Sequence, residues 1–181
     1  MAAPPKMGLD YFSFSVDLTN DEKLIAPRLK YGHLAIMVYI ELLVIMYSDK
    51  GYYIDYREKD RVIWQLQAAL QGGKNSITSE TIESVISDLV GAGLFEAMLF
   101  KSGILTSARG QKTWYMATVA RKIVAIDETI WLLSLNEMES LSSRHGLYVR
   151  MSTSTDLSSK STNKPSKLVD LPFKVKESKG E

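Results

Sequence analysis

The chain has 181 residues, enough for one domain with a proper core and some length to spare. It is 45% hydrophobic and 24% charged with a formal net charge of +1, so its total charge makes no case for nucleic acid, and any such case must rest on local charge. Cysteine is absent, which removes disulfides, thiol catalysis and thiolate metal sites. The two histidines, His33 and His145, are too few and too far apart for a metal site, and no cofactor is expected.

The start, MAAPPKM, lacks the apolar core of a signal peptide, and a cytoplasmic chain is expected. Directly behind it comes GLDYFSFSVDL, residues 8 to 18, in which Tyr11, Phe12, Phe14, Val16 and Leu18 alternate with small or acidic residues. Rings so near a terminus need cover, and the stretch reads as a strand or clip on the folded body. TNDEKL then starts a helix, with Asn20 or Thr19 as its cap and Pro27 keeping it short. Gly32 separates this helix from a second one over 33–48. The run LAIMVYIELLVIMY inside that helix is apolar on nearly every side, which predicts central burial. At 14 residues with Glu41 inside, it is shorter than the roughly 20 needed to cross a bilayer, and no membrane association is expected.

GYYIDY, residues 51 to 56, predicts a short strand. A helix over 58–71 follows, stopped by Gly72-Gly73. Another spans 78–92, with Thr78 as cap and Ile82, Val85, Ile86, Leu89 and Val90 on one face. Residues 94–106 read as two strands about a turn at Lys101-Ser102-Gly103, residues 108–126 as a long helix, and 127–141 as a helical or extended piece. A helix pair followed by a hairpin is the pattern of a winged helix-turn-helix. The expected fold is therefore mostly helical α+β: a winged-helix domain over 8–126, an extension over 127–150, and a Ser/Thr/Lys-rich linker or tail over 151–181 that buries too little to be ordered.

Several fragments together resemble a known family. GLDYFSFSVDL, DEK, YSDKGYYI, GLFE and GILTSARGQKTWYMAT with RK behind it are similar, in order, to the N-terminal domain of DnaD-like winged-helix replication proteins of phages and mobile elements. The resemblance covers about residues 8 to 126. It implies a role in DNA replication, self-association, and partners among replication proteins. In that family a Ser/Thr- and Lys-rich linker leads to a second domain, and KPSKLVDLPFKVKESKGE looks like that linker.

Residues 101–122 contain Lys101, Arg109, Lys112, Arg121 and Lys122 and no acid. In a wing and its following helix these cations could neutralise phosphates with little regard to sequence. Lys74, Asn75, Thr78 and Ser79, at the start of the would-be recognition helix, could meet a backbone or a base edge. That helix also presents Glu80, Glu83 and Asp88, which repel phosphate. Tyr11, Phe12, Phe14 and Trp114 are candidates for an oligomer interface, or alternatively for packing within the protomer, Trp114 beneath the N-terminal segment. LQGGKNS lacks the spacing of a phosphate-binding loop, no serine sits in a nucleophile elbow, and no enzyme is expected. Two functions remain open: a non-enzymatic DNA-binding replication protein, or a self-association and docking module that does not itself bind DNA.

Overall fold

Gly32, at φ 63°, breaks the chain between α1 (Glu22–Tyr31) and α2 (His33–Ser48), a conformation that favours glycine. The computed structural model describes residues 6–70, 77–118, 121, 123–142 and 148–152. The expected cap of α1 is displaced by one residue: Asp21, rather than Thr19 or Asn20, accepts the Lys23 backbone N–H at 3.0 Å. Pro27 is accommodated inside this ten-residue helix.

Helix α2 buries Ala35, Val38, Tyr39, Leu42 and Met46 against α1, α3 (Lys59–Leu70) and α4 (Ser79–Gly91). Thr78 caps α4 through its hydroxyl, which accepts the Thr81 N–H, and all five residues of the predicted apolar face are buried. This is a mostly helical α+β fold.

The expected hairpin over 94–106 is absent from the described residues. A short helix, α5 (Ala97–Lys101), occupies its first half, with the Glu96 carboxylate accepting the Met98 N–H and Phe100 packed on Tyr56. Gly103, at φ 79°, then turns the chain into β2 (Ile104–Leu105). This strand pairs antiparallel with β1 (Ile54–Asp55), some fifty residues back, and not with its sequence neighbour.

The long helix predicted over 108–126 also divides. Helix α6 (Ala108–Ala117) ends where Thr118 turns its hydroxyl back to the Tyr115 carbonyl and its own carbonyl accepts the Arg121 N–H. The β-branched residues that follow form β3 (Ile123–Asp127), which runs parallel to β4 (Tyr148–Ser152) in the register Ile123↔Tyr148 to Asp127↔Ser152. Helix α7 (Leu135–Ser142) lies between them in the chain, as a parallel crossover requires. The core runs on without a break at residue 126, because Val124, Ile126, Ile130, Leu133 and Met138 belong to the same buried cluster as Trp114 and Tyr115. Residues 153–181, most of the expected tail, lie outside the described residues.

A buried polar node ties this later part to the body. The Gln111 amide N–H groups donate to the Ile130 carbonyl (2.8 Å) and the Thr106 hydroxyl (3.1 Å), while its oxygen accepts the Leu132 N–H (2.7 Å). Thr106 in turn donates to the Tyr52 carbonyl (2.6 Å), and the Tyr52 hydroxyl accepts the Asp127 N–H (2.9 Å). Each buried group finds its partner, as low-polarity surroundings demand. Burial holds the Tyr52 phenol well above its usual range, the Asp127 N–H offsetting part of the shift.

Candidate interaction surfaces

The N-terminal segment is not a strand. Residues 6–9 are gripped mainly by their backbone: the Arg121 guanidinium donates to the carbonyls of Lys6, Met7 (3.2 Å) and Gly8 (2.7 Å), the Trp114 indole N–H donates to the Met7 carbonyl (2.9 Å), and the Leu9 N–H donates to the Tyr47 carbonyl (2.7 Å). Gly8 lies so close that a Cβ there would sit 2.3 Å from the Ser48 carbonyl oxygen. Gly51, at φ 87°, leaves the room that the Trp114 ring fills.

Trp114 is therefore fully buried within the protomer, against Tyr52 (ring centroids 4.8 Å apart), and offers no surface to a second chain. Thr118 is likewise buried, whereas Met116 is exposed. Of the three N-terminal rings, Phe12 packs half-buried on Tyr47 at 4.5 Å, Phe14 leans on Phe12 at 5.4 Å and is 45% exposed, and Tyr11 is 86% exposed. Val16 beside them is 93% exposed.

The basic stretch is dispersed by its own contacts. Arg121 is the N-terminal clamp just described. Arg109 forms a hydrogen-bonded ion pair with Asp21, the cap of α1. Burial works to raise the Asp21 carboxyl, but the Arg109 guanidinium, the Lys23 backbone N–H and the two cationic charges outweigh it and hold the group below the usual carboxylate range. Lys112 faces the field of Glu137, which helps hold that carboxyl low behind its bonds to Ser134. Lys101 stands exposed on α5.

At the start of α4 the Thr78 hydroxyl is occupied by the cap, and Ser79 is half-buried; Lys74, Asn75 and Lys122 lie outside the described residues. Two of the three acids on the outer face of α4 are paired, Glu83 with Lys59 (3.3 Å) and Asp88 with Lys30 (2.7 Å). Around it Lys23 donates to the Gly93 carbonyl, Arg28 to the Thr19 carbonyl, Arg57 pairs with Asp55, and Arg61 with Glu58.

Residues 11–109 match the Lin1244/Lin1753-like, N-terminal family, more than half of the chain. The chain belongs to that family. It is 29% identical over 123 residues to the uncharacterized phage-related protein Lin1244/Lin1753 of Listeria innocua, a stretch covering 67% of this chain and 38% of that protein. The chain thus spans well under half the length of this relative. No solved structure matches it. The comparisons support a phage-related protein, which is coarser than the DnaD-like replication family that the sequence resembles.

Two surface features escaped the sequence reading. Helix α2, expected to be buried all round, keeps a stripe in water: His33, Met37 and Val44 are exposed, with Ile40 and Glu41 half-exposed between them. The signal was available, since His33 and Glu41 are the helix's imidazole and carboxylate and both fall on that one face. On α1, Leu29 is 83% exposed and Ile25 precedes it by one turn. Among the described residues no helix is long and apolar enough to cross a membrane, and no three potential ligands cluster to hold a metal ion.

Proposed function

We propose that this domain is a protein-interaction module of a phage-related protein, self-associating and docking replication proteins, and that it does not itself grip DNA. One observation carries the reading. The arginines of the stretch richest in cations are consumed inside the protomer, by Asp21 and by the carbonyls of residues 6–8, while large apolar side chains stay in water at Tyr11, Val16, Leu29, Met37 and Val44. Counterion release needs cations aimed at phosphates, and an arginine already spent on a backbone carbonyl supplies none. Tyr11 and Val16 share one short segment and Met37 and Val44 one face of α2, and apolar side chains grouped in this way favour a contact surface. The replication context rests on the sequence resemblance over residues 8 to 126, joined to a phage-related family.

The alternative, DNA binding through a winged helix, has Lys101 and Lys112 in its favour, both exposed on adjacent helices. Fluorescence anisotropy with a labelled duplex separates the two. At about 50 mM salt the module should show no saturable binding up to about 10 µM, weaker than ordinary non-specific binders. Micromolar affinity that falls steeply with salt, and whose slope flattens in a Lys101→Ala, Lys112→Ala double variant, would establish the DNA reading in its place.

A further inference from the structure

The exposed stripe of α2 has a symmetry of its own. His33, Met37 and Glu41 succeed one another at intervals of four residues, one helical turn each, so they line up on one face with Met37 midway. Leu34 and Ile40, each three residues from Met37, are half-exposed at its flanks. Neither His33 nor Glu41 has an ion-pair partner among the described residues, although most cations nearby do. One end of the stripe can donate a hydrogen bond and the other can accept it, with methionine between them.

Resting on the reading of this domain as a self-associating module, we propose that α2 is an isologous interface. The α2 helices of two copies pack antiparallel across a two-fold axis at Met37, which puts His33 against Glu41 of the partner subunit, twice per dimer. The occupant is a second copy because the pattern is self-complementary. An antiparallel helix pair centred on Met37 matches each imidazole with a carboxylate, whereas moving the axis one turn to Glu41 would set two carboxylates against each other, and a parallel pair would set like against like. Methionine at the axis suits a contact of this kind, because its unbranched thioether fills irregular gaps between facing helices. Ile25 and Leu29, on the α1 helix that packs beside α2, leave further apolar surface in water next to a core helix that is otherwise enclosed.

Sedimentation equilibrium of the full chain tests this. Wild type should dimerise in the micromolar range. His33→Glu, which opposes two carboxylates at each end of the contact, should weaken the dimer at least about tenfold. Adding Glu41→Lys should bring it back to within about threefold, since a carboxylate then again faces a hydrogen-bond donor. Met37→Glu should give a monomer whose thermal midpoint equals that of wild type diluted to its monomer, which separates loss of the interface from loss of the fold. A wild type that remains monomeric at high concentration overturns the inference and self-association together. A dimer indifferent to all three variants overturns the inference alone, leaving self-association through another face.

Discussion

Residues 6–9 and residues 11–16 are neighbours in the chain and are held in opposite ways. The first four are fixed through their backbone, with three carbonyls accepting from Arg121, one of them also from Trp114, and the Leu9 N–H spent on Tyr47. The next six are the ones with conspicuous side chains, and apart from Phe12 those side chains touch little. Attachment and display are thus divided along one short segment. Because the grip does not depend on the rings, Tyr11, Phe14 and Val16 remain open to a partner without weakening the anchor.

Breaking the anchor at its deepest point has the largest effect. Trp114→Ala removes a fully buried ring that touches Tyr52 and Trp131 as well as the Met7 carbonyl. It should cost about 3–5 kcal/mol in urea unfolding, and a loss under about 1 kcal/mol would mean that the N-terminal segment, not the ring, organises this corner. Arg121→Ala is next: it leaves carbonyls of residues 6–8 without their charged donor, for a loss of about 1–3 kcal/mol. Its sharper signature is local, with faster amide exchange around residue 9 than in α2; uniform acceleration would contradict a clamp. The smallest effect belongs to the display side. A Tyr11→Ser, Phe14→Ser variant should unfold within about 0.5 kcal/mol of wild type, and a larger loss would show that these rings also serve the anchor.

The helices of the first half are legible because their punctuation is local. Gly32, Thr78 and Gly91 mark ends within a residue or two of where α1, α2 and α4 stop or start. Helix α5 reads as a strand because AMLFK is too short for either period to declare itself, and its deciding contact is the Glu96 cap, a faint signal within GLFE. β3 merges into a helix in the sequence pattern because its partner strand lies more than twenty residues onward, and pairing of that range leaves no mark on the local pattern. The roles of the cations are hidden for the same reason. Nothing near Arg109 announces Asp21, 88 residues away, nor does anything near Arg121 announce the carbonyls of residues 6–8. Charge can be counted from the sequence, but its use depends on contacts across the fold.

The Gln111 node bears on how such a gene segment can be exchanged between genomes. The match to the family ends at residue 109, two residues short of the side chain that bonds Thr106, Ile130 and Leu132 together. A recombination seam placed there would strip Trp114 from Tyr52 and leave Thr106 without the amide beside it. A piece that keeps this core intact has to reach past Met138, so the stretch that matches the family model and the stretch that packs as one core are not the same length.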